Sequence, residues 1–313
     1  MRVTALAGGI GAGKFLRGLV RAVPPEDVTV IVNTADDVEM HGLHVSPDVD
    51  SVTYWLGDLA DRERGWGRSG ETFRATEELR RLGAPDAWFG LGDLDLATHL
   101  FRTAALARGE GLAEITAALA ERFGIAARIL PMSEQPVTTR IDAVDEHGRA
   151  LDLHFQEYWV LRGAHDDVKG VRYVGASEAS PAPGVLDALE RADAIVVCPS
   201  NPVASIGPIL AVPGTEEALR ARRELAVGVS PIVAGAPLRG MADRLMPVAG
   251  LEVSAAGAAE RYRGLISAWV IDERDRELVP QIEALGLRAG VTDTVMESDA
   301  VAESIARVAL SLV

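Results

Sequence analysis

Hydrophobic positions in the first forty residues change period twice. Val3 to Ala7 is a short continuous apolar run, the form of a strand buried on both faces. Gly8 to Lys14 interrupts it as a tight loop, and Phe15 to Val23 resumes with Leu16, Leu19, Val20 and Val23 on one helical face. Pro24-Pro25 stops the helix, and Val28 to Val32 is a second, β-branched run. Strand, glycine turn, helix and strand make a βαβ unit, so the two strands are expected to lie parallel.

Further along, the pattern from about Asp50 to Phe123 is mainly helical, with tryptophans and arginines mixed in. Val137 to Ala143 and Leu151 to Phe155 flank Asp145-Glu146-His147-Gly148, a turn sequence that predicts a β-hairpin. Strand-like runs return at Ala194 to Val197, Ile232 to Ala234 and Ala268 to Ile271, and a last helix is expected over about Asp299 to Leu312. No internal repeat or low-complexity segment occurs. The pattern predicts one α/β domain over residues 1–313. Its frame is a doubly wound, mostly parallel Rossmann-like sheet with a largely helical insertion at about 50–125 and a β-hairpin.

Composition narrows the setting. The 313 residues are 48% hydrophobic and 25% charged, a globular balance. A chain of this length buries roughly three quarters of the surface it exposes when unfolded, so it needs no covalent staple. The single cysteine, Cys198, excludes an intrachain disulfide and fits a reducing compartment. With no histidine or lysine close in sequence, it reads as a small buried hydrophobe rather than a nucleophile. No apolar run approaches the ~20 residues that cross a bilayer, and none has the form of a signal-peptide core. A cytoplasmic protein without a membrane partner is expected. Net charge is −15, from 46 acidic residues against 31 basic ones, which argues against a nucleic-acid partner. An anionic small molecule remains compatible, because backbone amides, a few arginines and a metal ion can hold it. Only two lysines occur, Lys14 and Lys169, and one of them stands inside the glycine loop, where a function is expected of it.

Gly8-Gly9-Ile10-Gly11-Ala12-Gly13-Lys14 follows a strand and opens a helix. Glycines let backbone amides approach an anion without Cβ clashes, and a helix N-terminus adds partial positive charge. The dinucleotide fingerprint needs glycine where Lys14 stands and an acid where Asn33 stands. The P-loop pattern fits through Gly13-Lys14 but then needs Ser or Thr, where Phe15 stands. The segment is therefore expected to cradle phosphate through Gly8, Gly9, Gly11, Gly13 and Lys14 without belonging to either type.

Asn33-Thr34-Ala35-Asp36-Asp37 follows the second strand, at the edge where open α/β sheets bind ligands. Asp48 and Asp50 alternate just before a helical stretch. In an extended segment alternate carboxylates point the same way, so the two are expected to meet one ion, with Asp37 or Asp36 as a further ligand. Hard oxygen ligands of this kind suit Mg²⁺. A second acidic group, Gly92-Asp93-Leu94-Asp95, leads into a helix carrying His99 and Arg102, and Arg102 is expected to reach a phosphate. A third loop, Cys198 to Pro208, follows an apolar strand. Its Ser200, Asn201, Ser205 and Gly207 form a rigid polar rim suited to a nucleotide's sugar or base.

Several ordered segments together resemble one family. They are Ala7 to Gly11, Val32 to Asp37, Pro47 to Val52, Gly90 to His99, Pro131-Met132-Ser133, Pro199 to Pro208, Ser230-Pro231-Ile232 and Leu245-Met246-Pro247. They resemble the 2-phospho-L-lactate transferases of coenzyme F-420 biosynthesis, and the likeness covers essentially the whole chain. The resemblance implies a donor in which guanosine diphosphate is linked to lactate or enolpyruvate. It implies as acceptor the ribityl hydroxyl of the deazaflavin Fo, with GMP released and Mg²⁺ as cofactor. It makes Asp50 an acceptor or metal contact, and it assigns donor-nucleotide contacts to the glycine loop and to the loop from Ser200 to Gly207. Catalytic roles are expected of Asp50, Asp93 and Lys14, nucleotide contacts of Asn33, Thr34 and Ser133 as well, and a homodimer as the assembly. One position departs from the family: Leu94 stands where a basic residue is common. Arg102 is the expected substitute. The competing readings are a non-catalytic sensor of nucleotide sugars on the same scaffold, and a dinucleotide oxidoreductase, which Lys14 and Asn33 oppose.

Overall fold

A computed structural model describes residues 1–313. Strand β1 (Val3–Ala7) passes through Gly8 into helix α1 (Gly9–Ala22), and β2 (Val28–Val32) returns beside it. A small hairpin, β3 (Val38–Met40) and β4 (Leu43–Val45), precedes four helices: α2 (Pro47–Leu56), α3 (Arg74–Arg81), α4 (Asp93–Ala107) and α5 (Leu112–Arg122). Then come β5 (Arg128–Pro131), β6 (Thr138–Val144), β7 (Ala150–His154) and β8 (Asp167–Val174). The second half alternates: α6 (Val185–Glu190), β9 (Ala194–Val197), α7 (Ile206–Ala211), α8 (Thr215–Ala221) and β10 (Ala226–Val229). It continues with the short β11 (Ile232–Val233) and β12 (Ala236–Pro237), α9 (Ala242–Leu245), α10 (Ala255–Glu260) and β13 (Ala268–Asp272). The chain closes with α11 (Val279–Ala284), β14 (Arg288–Thr292) and α12 (Asp299–Leu310).

Seven strands form one sheet in the order β14-β13-β10-β9-β1-β2-β5, every pair parallel. Its inner strands are apolar without alternation because both faces are covered. One face packs against α1, α2 and α12, with Phe15, Leu16, Val49 and Ile305 fully buried. The other packs against α6, α7, α10 and α11, around Leu6, Val197, Ile209 and Trp269. Chain order runs outward from β1 through β2 on one side and from β9 on the other. The strand order therefore reverses between β1 and β9, and open α/β sheets bind ligands outside the carboxyl ends of strands at such a point. No helix is long and apolar enough to cross a membrane.

The expected frame of sheet and helices is present, and four details differ from the sequence reading. The glycine turn is confined to Gly8 and Gly9, not spread to Lys14. Gly8 is extended at φ −163°, Gly9 takes φ +73°, which glycine adopts without strain, and the helix has already begun. The segment Asp48-Val49-Asp50 is helical, because Pro47 fits the first helical position. Ile232–Val233 pairs only with β12, outside the main sheet, where Ala226–Val229 takes the place expected of it. That strand is hard to read because Gly228 interrupts a four-residue run; a Cβ there would overlap the indole of Trp269. Finally, the predicted hairpin β6–β7 gains a third strand, β8, giving a small antiparallel sheet β7-β6-β8. Its turn is fixed by Asp145, whose Oδ1 accepts from the amides of His147 and Arg149, each at 2.9 Å.

Candidate functional site

A cleft of about 1090 Å³ opens at the reversal point. Its floor is the pair of strand tips at β1 and β9. The Gly8 amide donates to Ser200 Oγ at 3.3 Å, and that hydroxyl donates back to the Gly8 carbonyl at 2.8 Å, so the two loops are clipped together. Asn201 Oδ1 accepts from the amides of Val203 (2.9 Å) and Ala204 (3.1 Å), which folds the second loop tightly before α7. Both loops reach the cleft through Gly8, Gly9, Ser200, Asn201 and Ser205.

Basic groups come from three separate places. Lys14, one and a half turns into α1, carries its ammonium 5.8 Å from the centroid of the Trp55 ring. Burial, and then the charge of Arg239, lower its pKa. Arg239 donates to the Arg64 carbonyl at 2.6 Å, and Arg64 stacks over Trp66 at 5.3 Å. All three cations line the cleft, so a chain of net charge −15 still presents a locally positive wall to an anion.

Carboxylates line another part. Asp48 is buried in the first turn of α2, and its Oδ2 accepts from Asn33 Nδ2 at 2.9 Å. Burial, aided by the charge of Asp37, pushes its carboxyl up to about 7. Asp36 is buried beside it, with Oδ1 unpartnered, and burial followed by the Asp48 charge raises its pKa as well. Asp37 points away from the cleft. Its Oδ2 accepts from Ser46 Oγ at 2.5 Å and lies 2.9 Å from His44 Nε2; burial nevertheless raises its pKa. Asp50 reaches the wall, but Arg102 binds both of its oxygens, Nη1 to Oδ2 at 3.1 Å and Nη2 to Oδ1. His99 Nδ1 lies 3.6 Å from Asp50, and burial pulls this imidazole down to about 4, so it is neutral at ordinary pH. In α4, Asp95 is buried on the wall. Burial, and then the charge of Asp50, push its carboxyl up to about 7.

The residues expected to form the site therefore separate into two groups. Gly8, Gly9, Gly11 and Lys14 line the cleft, as do Asp48, Asp50, Ser200, Asn201 and Ser205. The others sit behind it or elsewhere. Gly13 makes room for the Trp55 indole, and Gly207 for the Tyr173 ring, so both are packing glycines. Gly11 has a packing duty too, since a Cβ would strike the Pro199 carbonyl. Asn33 holds Asp48 from behind, and Thr34 is buried beyond the cleft wall. Ser133 accepts from the Gln135 amide at 3.0 Å and donates to the Ser180 carbonyl at 2.8 Å, away from the cleft. Asp93 faces outward; Thr72 Oγ1 and the Ala75 amide bind it, and those hydrogen bonds lower its pKa. Arg102 is fully buried on Asp50 and does not reach the cleft, so it does not replace the basic side chain missing at Leu94. Asp36 and Asp95 stood in the acidic segments of the sequence without being ranked above their neighbours, and Arg239 and the aromatic wall of Trp66, Trp88 and Trp159 were not singled out. For Trp66 and Trp88 the mixture of tryptophan and arginine in the insertion was the only signal.

For a divalent cation, the donor set that fits is Asp36 with Asp48. Both carboxylates line the cleft, the charge of Asp48 raises the pKa of Asp36, and Asp36 Oδ1 is a buried orphan. Mg²⁺ needs only one or two carboxylates and completes its shell with water and phosphate oxygens. The expected ligands Asp37 and Asp50 are bound instead by His44 and Ser46, and by Arg102. No cluster of three or more metal-binding side chains occurs.

A parallel sheet reversing at β1/β9, with its cleft at the strand tips, defines a doubly wound α/β protein. The same architecture occurs in a solved member of the UPF0052 family from Bacillus halodurans, with a TM-score of 0.63 at 18% identity over 97% of this chain and 98% of that one. The family model described as 2-phospho-L-lactate transferase CofD matches residues 3–308, and the chain belongs to that family of transferases. The phosphoenolpyruvate transferase of Streptomyces griseus is 47% identical over 100% of this chain and 98% of that protein. The 2-phospho-L-lactate transferase of Methanosarcina acetivorans is 43% identical over 98% of this chain and 97% of its own.

Proposed function

We propose that this transferase moves a phospholactyl or phosphoenolpyruvyl group from a guanosine-diphosphate-linked donor to the ribityl hydroxyl of the deazaflavin Fo, releasing GMP, in coenzyme F-420 biosynthesis. One observation carries the reading. A single cleft joins an amide-lined helix start and three cations to a pair of aspartates and an aromatic wall, in a chain that matches this family almost end to end.

Each part has a task in such a reaction. The ammonium of Lys14 and the N-terminal turn of α1 bind the diphosphate, the helix dipole adding to the attraction. Asp36 and Asp48 hold Mg²⁺, which supplies neutralisation of the charge on the diphosphate. Asn201 and Ser205 border the guanosine. Trp66, Trp88 and Trp159 offer flat apolar surface to the tricyclic ring of Fo, where stacking adds to the area removed from water. Catalysis by positioning and electrostatic stabilisation is the general pattern of phosphoryl-type transfer.

The test is mass spectrometry of the product after incubating the protein with Fo, Mg²⁺ and each synthetic donor in turn. The expected result is GMP together with a phosphodiester of Fo carrying the three-carbon group of one donor. Absence of product with both donors would remove the reading.

A further inference from the structure

Most polar side chains on the cleft wall are already engaged. Arg102 takes both oxygens of Asp50, Asn33 donates to Asp48, and the Glu71 carboxylate accepts from the backbone amides of Leu94 (2.8 Å) and Asp95 (2.9 Å). Asp93 lies outside, and Glu297 is exposed to water. Asp95 differs from all of them. Glu71 fixes its backbone at the start of α4, yet its side chain is only 5% exposed and its Oδ1 is buried without a hydrogen-bond partner. The hydroxyl of Tyr54, on the same wall, is buried beside it and is its one neutral neighbour able to donate to the carboxylate. Buried polar atoms without partners are rare and costly, and they gather where chemistry uses them.

We propose that Asp95 is the base that takes the proton from the acceptor hydroxyl during transfer, an inference that rests on the reading above. The hydroxyl oxygen forms a bond to the phosphorus that carries the three-carbon group. The bond from that phosphorus to the bridging oxygen of the diphosphate breaks, and its electron pair leaves with GMP. The hydroxyl proton passes to the Asp95 carboxylate. Of the other carboxylates in the cleft, Asp36 and Asp48 face the cation site and Asp50 is held on both oxygens by Arg102, which leaves Asp95 as the buried wall carboxylate that no cation pairs. Its environment suits the task. Burial and the charges of Asp50 and Glu71 raise its pKa to about 7, while Tyr54 and Arg68 oppose them. A base poised near the working pH transfers protons most effectively.

The experiment follows steady-state turnover of the full chain with Fo, donor and saturating Mg²⁺ across pH, so that the cation keeps Asp36 and Asp48 ionised and the limb reports Asp95. The wild type is expected to show an acid limb in kcat/KM with an apparent pKa near 7. Asp95→Asn is expected to lower kcat about 10²–10⁴-fold, to leave KM for the donor within about twofold, and to abolish that limb. Near-wild-type kcat, or an unchanged limb, would overturn the assignment. Should Asp95→Asn not fold, Asp95→Glu decides: it retains a carboxylate and is expected to keep the limb while turning over more slowly, and an unslowed enzyme counts against the proposal. A wild type that makes no product from either donor would instead defeat the transfer reading.

Discussion

Arg102 is fully buried and gives both terminal nitrogens to Asp50, which changes what a substitution at Asp50 will do. Breaking a buried ion pair from one side leaves an uncompensated charge and costs about 3–5 kcal/mol. Asp50→Asn is therefore expected to lose stability of that order, and urea unfolding should show it before any assay of turnover is interpreted. Asp48 behaves in the opposite sense. Its pKa in the fold lies well above the ordinary 3.8, so the fold holds the proton more tightly than the unfolded chain does. Stability contributed by the protonated group is then lost as pH rises from about 4 to about 7 and is absent above that. Asp48→Asn should raise the melting temperature near pH 8 and leave it almost unchanged near pH 4; thermal melts at both values check this. The same melts with added Mg²⁺ should stabilise the wild type far more than the variant. At this scale residue type is legible in the sequence and the direction a side chain takes is not. Asp48 and Asp50 both line the cleft, whereas of Asp93 and Asp95 only Asp95 does. Alternation alone does not say which.

Among the elements, the βαβ unit, the β6–β7 hairpin and the final helix were legible, because each carries its own period and punctuation. Ser298 caps α12 by accepting from the Val301 amide at 3.3 Å, a start that Asp299 alone only suggested. What could not be read is where two elements approach so closely that a side chain would intrude. Gly18, in the middle of α1, lies against the backbone of α12 at Ala302, and a Cβ there would overlap it. Gly18→Ala is expected to destabilise the protein by roughly 1–3 kcal/mol through overpacking, despite the better helix propensity of alanine. Chemical denaturation should report that loss while turnover measured well below the melting transition stays near the wild-type value. The glycines of the first turn carry mixed duties for the same reason. Gly8, Gly9 and Gly11 border the cleft, while Gly11 and Gly13 admit the Pro199 carbonyl and the Trp55 ring. A run of glycines does not distinguish close approach by a ligand from close approach by the protein itself.

Across the whole molecule, the site draws on strand tips and loops from Gly8 to Glu297, and only the closed sheet assembles them. The order of strands determines this, and local pattern does not encode it: Ala226–Val229 is not among the strand-like runs of the sequence, yet it is an inner strand between β9 and β13. The small antiparallel sheet spans two environments. Phe155 and Gln156, just past the end of β7, border the cleft, while Glu146 to Ala150 at the other end are exposed. The strand between them is five residues long, which separates its ends by about 13 Å. Inserting a short glycine-serine segment between His147 and Gly148 would loosen the two Asp145 hydrogen bonds. Lengthening a surface loop costs little entropy, so turnover is expected to stay within about twofold and the melting temperature to fall only slightly. Measured turnover of the insertion variant checks this. The hairpin tip would then serve as a handle, through which the enzyme can be tethered to a bead or given a dye while its mouth still faces open water.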